Sequence, residues 1–127
     1  MRLTFPYIKK GEVFYPLVDL TLLGKVKSLS VSALIDSGAS FSIFRPEIAE
    51  YLDIDIEKGK SLFLEGVGGR ILGYLHMIPV QVGDTKFVCK IIFSREFTVS
   101  FNLVGRYNFF QQFLITFDET KRLLILE

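Results

Sequence analysis

The sequence predicts a mainly β chain, a closed or partly closed β-barrel with one or two short helices. Three observations lead there. Short runs rich in Val, Ile, Leu, Phe and Thr recur along the chain, turn residues separate them at close intervals, and helix signals are confined to two brief segments.

Residues 11–24 open the series with Val13-Phe14-Tyr15-Pro16-Leu17-Val18-Asp19-Leu20-Thr21-Leu22-Leu23. The β-formers mark a strand, and Pro16, which has no N–H to donate, marks an edge or a bend. Gly24-Lys25 reads as a hairpin turn into residues 26–35. After Asp36-Ser37-Gly38-Ala39 comes a second apolar run, Phe41-Ser42-Ile43-Phe44. A helix is expected over residues 45–52. There Pro46 and Glu47 suit a first turn, and Ile48, Tyr51 and Leu52 share a face. Residues 86–93 alternate, with Phe87, Cys89, Ile91 and Phe93 on one side and Val88, Lys90 and Ile92 on the other. Residues 107–112, just after Gly105, are expected to form a second short helix. A last hairpin pairs residues 113–117 with 122–126 around Asp118-Glu119-Thr120-Lys121.

Length and composition narrow the function classes. The 127 residues make one domain, 1–127, able to bury roughly two thirds of the chain's surface. Hydrophobic residues are 50% and aromatics 14%, with 13 Phe and no Trp, so some apolar surface is expected to remain for a partner. The formal net charge of +1, from 15 basic and 14 acidic residues, argues against nucleic acid or an anionic membrane as partner. Cys89 is the single cysteine, which leaves no intrachain disulfide and fits a reducing, cytoplasmic setting. Met1-Arg2-Leu3-Thr4-Phe5-Pro6 lacks the apolar core and cleavage site of a signal peptide, and no apolar stretch approaches the ~20 residues of a spanning helix. A soluble protein of the cell interior is the expectation.

The chemistry concentrates at Asp36-Ser37-Gly38-Ala39, which follows the apolar run Val31-Ser32-Ala33-Leu34-Ile35. A carboxylate at the end of a buried strand is costly to ionise, because desolvation disfavours the charged form, so it implies a partner. Ser37 offers a hydroxyl, Gly38 permits a tight turn with close backbone approach, and Ala39 leaves room. Together they suit a carboxylate aimed into a narrow, dry cleft.

The pattern hydrophobic-Asp-Ser-Gly-Ala-Ser resembles the active-site loop of aspartic proteases, Asp-Thr/Ser-Gly-Ala/Ser. Two further features stand in the same order. Leu64-Glu65-Gly66-Val67-Gly68-Gly69-Arg70 looks like a glycine-rich flap, and Asn102-Leu103-Val104-Gly105-Arg106 looks like the hydrophobic-hydrophobic-Gly segment with the Arg of retroviral members. Over roughly residues 12–126 the chain is similar to the single-lobe, retropepsin-like aspartic proteases. The resemblance implies a barrel of retropepsin (acid protease) type and an aspartic endopeptidase acting on peptide or protein substrates. It implies Asp36 as the catalytic residue, Ser37, Gly38 and Ala39 as the active-site loop, and Gly66, Val67, Gly68 and Gly69 as a flap over an extended peptide. Ser37 would lock two such loops together, and Gly38 would bind the substrate backbone or the adjacent carboxylate oxygens. Phe41, Leu103 and Val104 are the implied substrate-pocket residues. No metal or organic cofactor is expected.

Such hydrolysis needs two carboxylates that share a proton and grip one water, since like charges so close cannot both ionise. The remaining aspartates, Asp19, Asp53, Asp55, Asp84 and Asp118, are not followed by Thr/Ser-Gly. One motif per chain therefore predicts a homodimer with both copies of Asp36 on the two-fold axis. One position departs from the family. Retroviral members usually carry an Asp where Ser40 stands, and it pairs with the Arg after the downstream Gly. Arg106 is then expected to pair elsewhere, with Glu65 or Glu47, or to serve the dimer differently.

Each feature also has a plainer reading. Asp-Ser-Gly alone is a common turn. The glycines at 66–69 lack the following Lys-Ser/Thr and the helix of a phosphate loop. His76 is the single histidine and no Gly-x-Ser-x-Gly elbow exists, so a strand histidine with a satisfied hydrogen bond is expected. One His and one Cys argue against zinc. Cys89 reads as a small core residue, and Asn108-Phe109-Phe110-Gln111-Gln112-Phe113 as core or dimer contact rather than a base-stacking platform. The alternative function on the same barrel is a catalytically inactive dimerisation or peptide-binding module. An intact Asp36-Ser37-Gly38 favours the enzyme, because a binding module has little physical reason to keep a paired buried carboxylate.

Overall fold

The computed structural model describes residues 1–66 and 68–127. The chain runs through β1 (Leu3–Pro6), β2 (Ile8–Lys10), β3 (Val13–Tyr15), β4 (Leu17–Leu23), β5 (Ser28–Ile35) and β6 (Ser42–Phe44) to the helix α1 (Pro46–Tyr51). A 3-10 turn at Ile56–Lys58 leads to β7 (Lys60–Gly66), β8 (Gly69–Val82), β9 (Thr85–Phe93) and β10 (Asn102–Val104). After a second 3-10 turn at Phe110–Gln112, β11 (Ile115–Asp118) and β12 (Leu123–Leu126) end the chain. The structure is mainly β, as expected, and none of its described helices is long and apolar enough to cross a membrane.

The larger sheet closes on itself. Its strands bond in the order β4-β5-β10-β6-β9-β8, and β8 returns to β4 through the pairs Thr21–Gln81 and Leu22–Val80. β7 extends from β8 outside this ring. β1, β12 and β11 form a three-stranded antiparallel sheet, and β2 and β3 a short hairpin.

The inward faces follow strand periodicity. In β4 the buried positions Val18, Leu20 and Leu22 alternate with Asp19, Thr21 and Leu23. Residues Ala33 and Ile35 of β5, Ile78, Val80 and Val82 of β8, and Cys89, Ile91 and Phe93 of β9 join them. Ile48 and Ala49 of α1, Leu124 and Leu126 of β12, Phe44, Ile56, Val104 and Phe109 also belong to the core. Helix α1 starts as its sequence asks. Arg45 is extended (φ −63°, ψ 142°) before Pro46 at the first turn, with Glu47 favourably placed near the N-terminal end.

Several elements differ from the sequence expectation. Pro16 divides residues 11–24 into β3 and β4, the bend its missing N–H foreshadows. Residues 107–112 do not make a full helix. Asn108 adopts φ 75°, outside the helical region, so Phe110–Gln112 closes a single 3-10 turn. Strands β1 and β2 and the 14-residue span of β8 carry no distinctive local pattern. β8 is long because three partners use it in turn: β7 up to Leu75, β9 from Tyr74, and β4 at Val80 and Gln81.

Cys89 is fully buried (0% exposed), as expected of a core residue. Burial pushes its thiol up from 9.0 to about 11, with a hydrogen bond to Ser42 opposing part of the rise. Native protein therefore holds this proton where the unfolded chain releases it. The corresponding stability is fully present below about pH 9 and is lost as pH rises toward 11, roughly 2–3 kcal/mol in all. Urea unfolding across that window should show a steeper alkaline fall for the wild type than for Cys89→Ala, and equal slopes would rule the thiol out as the cause.

Candidate active site

β5 ends at Ile35 and delivers Asp36. The Ile35 N–H donates to the Pro16 carbonyl (3.1 Å) and the Asp36 N–H to the Val104 carbonyl (3.0 Å), so the residue is anchored on two sides. Its side chain is half-buried. The Gly38 N–H donates to Asp36 Oδ1 at 2.9 Å, and the Ala39 N–H to the Asp36 carbonyl at 3.2 Å. This tight turn fixes the direction of the carboxylate. Ser37, Gly38 and Ser40 are exposed, and Ala39 is half-buried.

β10 lies parallel to β5, with Leu103 opposite Leu34 and Val104 opposite Ile35. The chain therefore leaves both strands at the same end, and the loop after β10 meets the loop after β5. Gly105 makes the closest approach, where an added Cβ would lie 2.5 Å from the Phe41 carbonyl oxygen and 2.8 Å from that of Ala39. The next two residues bond the loop directly. The Arg106 N–H donates to the Ala39 carbonyl (2.9 Å) and the Tyr107 N–H to the Ser40 carbonyl (2.8 Å).

Buried polar side chains brace this arrangement from within. Ser42 accepts from the Gly105 N–H (3.1 Å) and from the Cys89 thiol (4.0 Å). Asn102 accepts from the Arg45 N–H (2.9 Å) and donates to the Ser32 carbonyl (3.1 Å). Leaving such a group without its partner costs about 1–3 kcal/mol.

The β7–β8 hairpin pairs from Lys60–Leu75 out to Gly66–Gly69. Gly66, Gly68 and Gly69 are exposed, and Gly69 has φ 112°, a conformation open to glycine and strained for other residues. Val67 lies outside the described residues. Side chains tie the base of the hairpin. Pairing between β8 and β9 ends at Tyr74–Phe93. Beyond it, Ser94 Oγ donates to the Leu72 carbonyl (2.5 Å), and the Glu96 carboxylate accepts from the Leu72 N–H (2.9 Å). These two bonds extend the ladder where the backbone of β9 turns away. Removing both, in Ser94→Ala with Glu96→Ala, should speed amide exchange over residues 60–72 by roughly 10- to 100-fold and leave β4 and β5 protected. Unchanged exchange in the hairpin would show that its base is held by other contacts.

A family model for aspartyl protease matches residues 11–118. The chain belongs to the aspartyl protease family. Over 81 residues it is also 37% identical to DNA damage-inducible protein 1 of Neurospora crassa, a match covering 61% of this chain and 18% of that protein. The matched stretch is thus less than one fifth of the relative's length.

Of the residues the resemblance implies for this aspartyl protease chain, Asp36, Ser37, Gly38 and Ala39 form one turn. Gly105 and Arg106 bond or pack against its far side. Phe41 and Leu103 are half-buried, with the Phe41 ring 6.0 Å from that of Tyr107. Val104 is placed differently from the expectation. It is 0% exposed and packs into the core, because alternation along β10 turns Leu103 one way and its neighbours Asn102 and Val104 the other. Of the two roles expected for Arg106, pairing with Glu65 or Glu47 is not seen among the described residues, and a role in the dimer stays an expectation. Glu47 is engaged by Arg45 at 3.1 Å, and the Arg106 guanidinium makes no ion pair among the described residues. His76 behaves as expected, its Nε2 2.9 Å from the Ile56 carbonyl oxygen. Ser42, Asn102, Ser94 and Glu96 escaped the sequence reading. A polar residue on the inward side of an apolar run is the signal at Ser42, whereas nothing local marks Ser94 or Glu96.

Proposed function

We propose that the chain is an aspartic endopeptidase that works as a homodimer, each copy supplying one Asp36. The observation that carries this reading is the Asp36 turn: a half-buried carboxylate at the end of β5, oriented by the Gly38 N–H, in a chain of the aspartyl protease family. Each chain holds one Asp-Ser-Gly, so a second copy must bring the second carboxylate.

With the two carboxyl groups sharing one proton, the ionised one takes a proton from a water held between them. The water oxygen attacks the peptide carbonyl carbon while the protonated carboxyl gives its proton to the carbonyl oxygen. Collapse of the tetrahedral intermediate breaks the C–N bond, and a carboxyl returns a proton to the leaving nitrogen. Ser37, exposed on the turn, would bond the neighbouring copy's loop through its hydroxyl. The β7–β8 hairpin acts as the flap, closing over an extended peptide and excluding water. Main-chain hydrogen bonds hold the peptide, and Phe41 and Leu103 offer apolar contact to its side chains.

Cleavage of a denatured protein mixture between about pH 3 and 7 tests this, measured over a concentration series alongside sedimentation velocity. Specific activity should rise with the dimer fraction and level off once dimer saturates. A folded monomer with constant specific activity at every concentration would contradict it. A folded dimer that cleaves nothing would favour the peptide-binding module instead.

A further inference from the structure

Beside the Asp36 turn lies an open cavity of about 450 Å³ lined by Ser40, Arg106, Tyr107, Phe110 and Gln111. Its wall is built onto the active-site loop through the bonds from the Arg106 and Tyr107 N–H groups to the Ala39 and Ser40 carbonyls. Among the described residues, no acidic one lines it. Each polar side chain that lines it has a hydrogen to donate. Arg106 carries a planar fork of N–H groups with no ion pair among the described residues. Lys90 Nζ donates to the Tyr107 phenol oxygen (2.9 Å), which leaves the phenol hydrogen to donate. Gln111 Oε1 accepts from the Asn108 N–H (2.8 Å), which leaves its NH₂ as the donor. Ser40 adds a hydroxyl, and its carbonyl is already taken by Tyr107.

A pocket of donors with a guanidinium at its wall matches a ligand that only accepts, and an ionised carboxylate is the acceptor-only group of proteins. The size is that of a side-chain or small-ligand site, with room beyond a single carboxylate. We propose that this cavity is a specificity subsite of the protease, taking an Asp or Glu of the peptide substrate that flanks the scissile bond and pairing its carboxylate with Arg106. The proposal rests on the peptide-cleaving reading of Asp36 and names the substrate class that site selects. Phe110 supplies the apolar surface for the methylene stem of the acidic residue. The bonds from the Arg106 and Tyr107 N–H groups hold the pocket wall against the loop that begins at Asp36, beside which a bound peptide would run.

A randomised peptide library tests the subsite. Cleavage by the wild type should enrich Asp and Glu over Asn and Gln by roughly tenfold at one position. In Arg106→Gln that enrichment should fall to about one, and in Arg106→Glu it should invert toward Lys and Arg. The comparison is made within each protein, so a general change in rate leaves it readable. No acidic enrichment in the wild type, or enrichment that survives in Arg106→Gln, would overturn the proposal. So would a weaker dimer with unchanged enrichment, which would mean that the second subunit's carboxylate fills the cavity. Binding of the same library to Asp36→Asn separates this idea from the catalytic one. Acidic enrichment among bound peptides, with no cleavage by the wild type, would keep the subsite and sink the catalysis. Cleavage with no acidic preference would do the reverse.

Discussion

Asp36→Asn is expected to lower turnover by at least about 10³-fold while a peptide ligand still binds within a few-fold of wild type. Asn has nearly the shape of Asp, and its side-chain oxygen can still accept from the Gly38 N–H, which in the wild type reaches Asp36 Oδ1 at 2.9 Å. The turn and the bond from the residue 36 N–H to the Val104 carbonyl should therefore survive. What is lost is the ability to take a proton from water or to share one with the second copy. Steady-state rates on a cleaved peptide, together with its binding by fluorescence anisotropy, separate the two effects. Full proteolysis by the variant would remove Asp36 from the mechanism.

Gly105→Ala should cost stability on the order of 3–5 kcal/mol, or prevent folding altogether. The reason is contact, not dihedral freedom. The added Cβ would sit 2.5 Å from the Phe41 carbonyl oxygen and 2.8 Å from the Ala39 carbonyl oxygen, and both obstacles are backbone. Neither can swing aside as a flexible side chain does. The Ala39 carbonyl also accepts from Arg106, so relief would displace the loop that begins at Asp36. Gly66→Ala provides the contrast, since an added Cβ there meets nothing within 4 Å. Urea midpoints of the two variants should differ widely, and a Gly105→Ala protein as stable as Gly66→Ala would show that the loop can yield.

Much of this was legible in the sequence, and the illegible part has a physical pattern. Local signals worked where local physics decides. Alternation marked the buried face of β9, Pro46 and Glu47 marked the start of α1, and Pro16 marked the break before β4. The Asp36 turn was readable because its hydrogen bonds fall within four residues. Distant partners were harder. β10 is three residues long and owes its place beside β5 and β6 to pairings some 60–70 positions away, which no window on the chain contains. The same ignorance of register left Leu103 and Val104 equivalent in the sequence, whereas the strand turns only Val104 into the core. For Arg106 the sequence pattern offered Glu65, Glu47 or a role in the dimer, and Glu47 lies two positions from Arg45 and is taken locally. Ser94 and Glu96 gain their meaning from where β9 stops, and that point is set by the three-way use of β8.

Subunit mixing tests the shared dyad most directly. Wild-type and Asp36→Asn chains would be unfolded together, refolded at varied ratios and fixed total concentration, and assayed on one peptide. If each active dimer needs Asp36 from both copies, activity follows the square of the wild-type fraction, so an equal mixture retains about a quarter of the all-wild-type rate. A linear dependence, with about half the rate at equal mixture, would mean that each chain cleaves with its own Asp36 alone and would contradict the dimeric mechanism.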